Sequence, residues 1–146
     1  MNPEIAESGI NAPLLRVAIS VLRSGLIPQA TGKLCRLNED GTVKGMCCLG
    51  VLTHVAIAFG GLKITEDIAW DGQTRIYRSN SAEEGFLLPE VMALYGFTSR
   101  DVILQHDSGE GLMESRSASG LNDALVPHPV IADAFERTFL PQDVKA

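Results

Sequence analysis

Residues 47–59, CCLGVLTHVAIAF, are apolar on nearly every side of a helical wheel. A helix of this kind has no face to give to water. The rest of the chain must therefore pack around it, which makes 47–59 the expected central element. Gly60 and Gly61 stop it, and His54 interrupts it. The apolar run is well short of the roughly 20 residues that cross a bilayer, so it reads as core and not as a membrane span.

The other elements are expected where the apolar spacing changes. Leu14, Leu15, Ala18, Val21 and Leu22 recur at helical intervals after Asn11 and Pro13, which predicts a helix over 13–24 closed by Gly25. Asp40-Gly41 and Asp71-Gly72 are turn dipeptides. They predict a hairpin pairing 33–38 with 42–46 and a second within 62–78, where Ile68 and Trp70 on one arm and Ile76 on the other alternate in part. A short helix is expected at 89–95, from Pro89 to the stop at Gly96. Residues 79–85 read as loop. Residues 97–120 carry the weakest pattern: 101–105 as strand or helical turn, 106–111 as a turn, 112–120 as a short strand. Pro127 and Pro129 open a last helix over 129–140, with Val130, Ile131, Ala134, Phe135 and Phe139 on one face. The fold class that follows is α+β. It is a single compact domain of three to four helices around a central buried helix, with a small antiparallel sheet built from two hairpins. The domain is expected over 13–141, with a flexible segment at 1–12 and a tail at 142–146. A chain of 146 residues, 45% apolar and 21% charged, suffices for one such core.

The net charge of −6 argues against a nucleic-acid partner, which needs a basic face. The opening MNPEIAESGINAP has acids where a secretory leader has positive charge, and three cysteines are too few and too odd for a disulfide framework. A cytoplasmic protein is expected. Self-association is expected if the hairpin edges stay open.

Cys47 and Cys48 admit three readings. Zinc needs about four ligands, and the chain offers no second cysteine pair to join Cys35 and His54. A nucleophilic cysteine needs a base and an electropositive setting; Cys47 at a helix start with His54, His106 or His128 would be the arrangement. The preferred reading makes both thiols small apolar spacers where backbones approach, with Gly50 one turn on. His54 is then a core or boundary group. His106-Asp107 falls in a turn and is expected in solvent. His128, at a helix start, is disfavoured from protonating by the dipole. No phosphate loop, dinucleotide fingerprint, H-E-x-x-H or G-x-S-x-G motif occurs, and Glu83, Glu84, Glu90, Glu110 and Glu114 read as solvated acids. Neither a cofactor, nor a metal, nor a catalytic residue is assigned.

The polar residues at element ends are the remaining candidates. Arg23 with Ser24 and Gly25 closes the first helix and serves that helix end electrostatically; its other reading is an anion-binding rim with Gln29 and Lys33. Asn122 and Asp123 precede the last helix, either as an Asx turn or as ligand contacts.

Three segments, LRSGLIPQATGKLCR at 22–36, MCCLGVL at 46–52 and LND at 121–123 followed by VIADAFERTF, occur in this order. With LLPEV at 87–91, they resemble a family of small proteins of bacteriophages, prophages and actinobacteria. The resemblance covers about residues 20–140. It differs at Met46, where the family carries an aromatic residue, and at Pro127, where it carries a Ser or Thr cap. It implies a phage-type genetic setting and a shared fold, and brings no reaction with it. The expected function is an accessory protein that binds a small anionic ligand without catalysis, such as a nucleotide signal sequestered in counter-defence. Its ligand-binding residues would be Arg23, Gln29, Arg36, Arg75, Asn122 and Asp123, with sites that a homo-oligomer shares between subunits. The alternatives are a module that inhibits or adapts a host protein through an acidic surface, and a small cysteine-dependent enzyme.

Overall fold

A computed structural model describes residues 9–78, 86–108 and 112–140. The loop expected at 79–85, the tail at 142–146 and most of the segment at 1–12 lie outside them, as do Glu83, Glu84 and Glu110. The fold is α+β. Its helices are α1 (Ala12–Ser24), α2 (Cys48–Ala58), α3 (Pro89–Tyr95), α4 (Ala118–Asp123) and α5 (His128–Phe139). Its strands are β1 (Cys35–Leu37), β2 (Val43–Met46), β3 (Thr65–Ile68), β4 (Thr74–Arg78), β5 (Ile103–Asp107) and β6 (Met113–Ser117).

Helix α2 is the centre. Leu49, Val51, Leu52 and Val55 are wholly buried, each contributing on the order of 1.5–3 kcal/mol by leaving water. Helix α1 packs its Leu15, Ala18 and Leu22 face against both α2 and α5. α5 returns Ile131, Ala134 and Phe135 to the same core. At one end Tyr95 stacks on Phe97 at 5.3 Å between ring centroids, and Phe97 meets Phe139 at 5.1 Å. The packed region begins before residue 13: Ile10 is buried, and the Asn11 N–H bonds the Tyr95 carbonyl at 2.9 Å.

The two expected hairpins form and join into one antiparallel sheet of order β2-β1-β4-β3. Gly41 and Gly72 take the left-handed backbone that the Asp-Gly turns require, with φ of 89° and 74°. Asp40 and Asp71 each accept the N–H two residues on. One row of the sheet runs Met46, Cys35, Arg75, Ile68 across the four strands. Met46 and Cys35 are buried, Arg75 is half-buried, and Ile68 is 53% exposed. Cover therefore runs out across the sheet, and every residue of β3 is exposed.

Two features differ from expectation. The short strand expected within 112–120 is β6, and it pairs antiparallel with β5 in a separate two-stranded sheet. His106 lies in β5, half-buried, rather than in a solvated turn. The six-residue α4 starts directly where β6 ends, so five helices are present among the described residues. Ser117 allows this because it ends the strand in extended backbone and its Oγ accepts the Gly120 N–H.

Candidate functional site

The start of α2 is where the distant segments meet. Cys47 is its N-cap, and its Sγ accepts the Gly50 N–H at 3.4 Å. The next orphan donor, the Cys48 N–H, is taken by Asn122 Oδ1 at 3.0 Å. Asn122 reaches it from α4 and is fully buried. The same Oδ1 accepts Gln29 Nε2 at 3.1 Å, and Asn122 Nδ2 donates to the Ala30 carbonyl at 2.6 Å. Gln29 Nε2 also donates to the Val126 carbonyl at 2.8 Å. Asp123 accepts the Gly32 N–H at 3.1 Å. Arg36 clasps the same connector from β1, its Nε and NH2 donating to the Thr31 carbonyl at 3.0 and 2.8 Å.

Four of the six expected ligand residues, Gln29, Arg36, Asn122 and Asp123, therefore converge on residues 29–32. They spend their polar atoms on backbone and on one another. The connector in turn lies along β2: the Met46 N–H bonds the Pro28 carbonyl and the Ala30 N–H bonds the Met46 carbonyl, both at 2.9 Å. A Cβ on Gly45 would sit 2.8 Å from the Pro28 oxygen, so only glycine admits this approach.

Arg23 and Arg75 stand elsewhere. Arg23, on α1, bonds Asp133 at 2.6 Å and Glu136 at 2.8 Å on α5. Glu136 and then Asp133 hold its guanidinium charged, and the cluster ties two helices together. Arg75 is 3.4 Å from Glu66 across the β3–β4 ladder.

All three thiols are free and buried. Burial pushes Cys47 up to about 11 and Cys48 well above its ordinary value. Cys35 is also raised by burial, against the pull of Arg75. Cys48 Sγ donates to the Ala118 carbonyl at 3.4 Å. Protonated, sealed thiols are poor nucleophiles. His128 is buried, its pKa lowered by desolvation. The expected direction holds, with burial as the cause.

Among the described residues, hollows open on the surface at the following places. One, of about 500 Å³, is lined by Ile57, Leu62, Lys63 and Ile64; another, of about 270 Å³, by Ile10, Phe97, Val102 and Phe139. None of the six expected residues lines either.

The most conspicuous surface group was not singled out from the sequence. Trp70, the chain's one tryptophan, is 99% exposed at the tip of the β3–β4 hairpin. Its neighbour Ile68 is exposed with it, on the strand the helices leave uncovered. The sequence signal was present as an aromatic residue beside an Asp-Gly turn. Compared with family models, curated proteins and solved structures, the chain matches none. Among the described residues, no helix is long and apolar enough to cross a membrane.

Proposed function

We propose that this protein is a non-catalytic interaction module that holds a partner protein through its β3–β4 hairpin. The observation that carries the reading is the full exposure of Trp70 at the hairpin tip. An indole in that place adds nothing to the core, and tryptophan is the residue most enriched where protein partners bind tightly. Ile68 and the uncovered strand β3 extend the same surface, and the acidic balance of −6 suits a basic partner. The phage-type resemblance supports a host protein as the partner, inhibited or redirected by stoichiometric binding.

The test is capture from host lysate with the wild-type chain beside Trp70→Ala, followed by amide hydrogen exchange. A stoichiometric partner lost in the variant, with protection confined to 65–78, is the expected result. A partner that the variant retains in full removes the hairpin from the reading.

A second reading keeps the small anionic ligand, such as a nucleotide signal sequestered in counter-defence. What favours it is that Arg36, clasping the Thr31 carbonyl at the connector, stays half-exposed there. Arg23 and Arg75 take no part in it. A thermal-shift panel of nucleotides and sugar phosphates tests it, and a flat response at saturation rejects it.

A further inference from the structure

Resting on the interaction reading, we infer that the edge of β3, which no other strand among the described residues pairs, accepts an extended, lysine- or arginine-bearing segment of the partner as a fifth strand. The ladder supplies the backbone geometry. Ala69 donates its N–H to the Thr74 carbonyl at 2.8 Å. Antiparallel alternation then makes Asp67–Ile76 and Thr65–Arg78 the hydrogen-bonded pairs. Glu66 and Ile68 consequently turn their backbone groups outward. The Ile68 N–H is taken back by Asp67 Oδ1 at 2.8 Å. The Glu66 N–H and the two carbonyls remain as the docking edge.

The charges choose the occupant. Glu66 and Asp67 are both exposed on this strand, Glu66 also meeting Arg75 of the neighbouring strand at 3.4 Å. A second copy pairing antiparallel about a two-fold axis would use the outward residues. Centred on Asp67 it sets Asp67 against Asp67; centred on Glu66 it sets Glu66 against Glu66. Like charges directly opposite are destabilising. The register centred on Ile68 runs into the turn at Trp70, and the one centred on Thr65 needs residues 62–64, which lie before the strand begins. The opposite end of the sheet is closed to any strand at Met46, where the connector bonds β2. A basic strand meets none of these objections: cations at alternate positions share one face and oppose either Glu66 or Asp67, and Trp70 follows the strand to stack over a cationic side chain.

The experiment titrates the ¹⁵N-labelled full chain with an end-blocked octapeptide alternating lysine and threonine, and in parallel with its glutamate counterpart. Saturable shifts at the Glu66 and Ile68 amides and the Trp70 indole are expected with the lysine peptide. The glutamate peptide should need at least tenfold higher concentration. Glu66→Gln/Asp67→Asn, which keeps the shape of both side chains, should weaken the lysine peptide at least fivefold. Equal binding of the two peptides, shifts outside 65–70, or concentration-dependent protection of 65–70 without peptide each overturns the inference. Peptide failure with Trp70-dependent capture intact removes the basic strand and leaves the interaction reading standing. Loss of that capture removes both.

Discussion

Asn122→Ala tests the physical claim on which the fold rests most heavily: one buried carboxamide joins α4, the connector and the start of α2. The substitution removes an acceptor 3.0 Å from the Cys48 N–H, an acceptor shared with Gln29 and a donor to Ala30. These losses are unequal. Cys48 is wholly buried, so its N–H is left without a partner at a cost of ~1–3 kcal/mol. Gln29 and Ala30 are half-exposed and regain water, which limits each to about 0.5 kcal/mol. The sum is about 3 kcal/mol. For a chain of this length, that lowers Tm by roughly 10 °C. Urea unfolding followed by far-ultraviolet circular dichroism is the right assay, because Trp70 is already in solvent and reports poorly on the core. Gln29→Ala alone should cost about 1 kcal/mol. The double variant should cost about 0.5 kcal/mol less than the sum, since both single changes delete the same bond. A loss below about 1 kcal/mol for Asn122→Ala, or strict additivity in the cycle, refutes the reasoning.

The native thiols should be silent to iodoacetamide at neutral pH and all three should label in urea, read by intact mass; a rapidly labelled native cysteine contradicts the sealed placement. His128 is held neutral by burial, with its folded pKa below 6.5, so the unfolded chain binds the extra proton as pH falls. Its contribution is complete above about pH 6.5 and is lost below it. Unfolding curves from pH 7.5 to 5 should show stability falling, with a shallower fall in His128→Gln. Gly50→Ala would place a Cβ 1.8 Å from the Leu34 oxygen, a backbone atom that cannot swing aside. It should cost at least ~2 kcal/mol by urea unfolding despite alanine's better helix propensity.

Legibility followed how directly burial maps onto residue type. Helix α2 was readable because no arrangement of CCLGVLTHVAIAF exposes less than half of it outside a core. The two hairpins were readable because Asp40-Gly41 and Asp71-Gly72 name their own turns. The β5–β6 pair was weakly marked: Leu104 is buried while Ile103 and Met113 are half exposed, so apolar residues do not mark one face. Helix α4 was hidden because Ser117 serves both a strand end and a cap, leaving no break between them.

The candidate site illustrates a deeper limit. A helix end presents unpaired backbone groups, and Asn, Asp, Gln and Arg satisfy them with the same atoms that would hold a ligand. Nothing in the letters Asn122 and Gln29 says which of the two their amides face; only the 3.0 Å bond to Cys48 does. Arg23 carries the same ambiguity, resolved by Asp133 and Glu136 lying across from it on α5. For an apolar residue the ambiguity reverses. Trp70 alternates with Ile68 along one arm as a strand residue would, yet the row that ends at Ile68 loses its cover strand by strand. The polar groups that sequence marks as functional are those the fold consumes. The group it marks as structural is the one left facing outward, which is why the hairpin and not the connector carries the proposal.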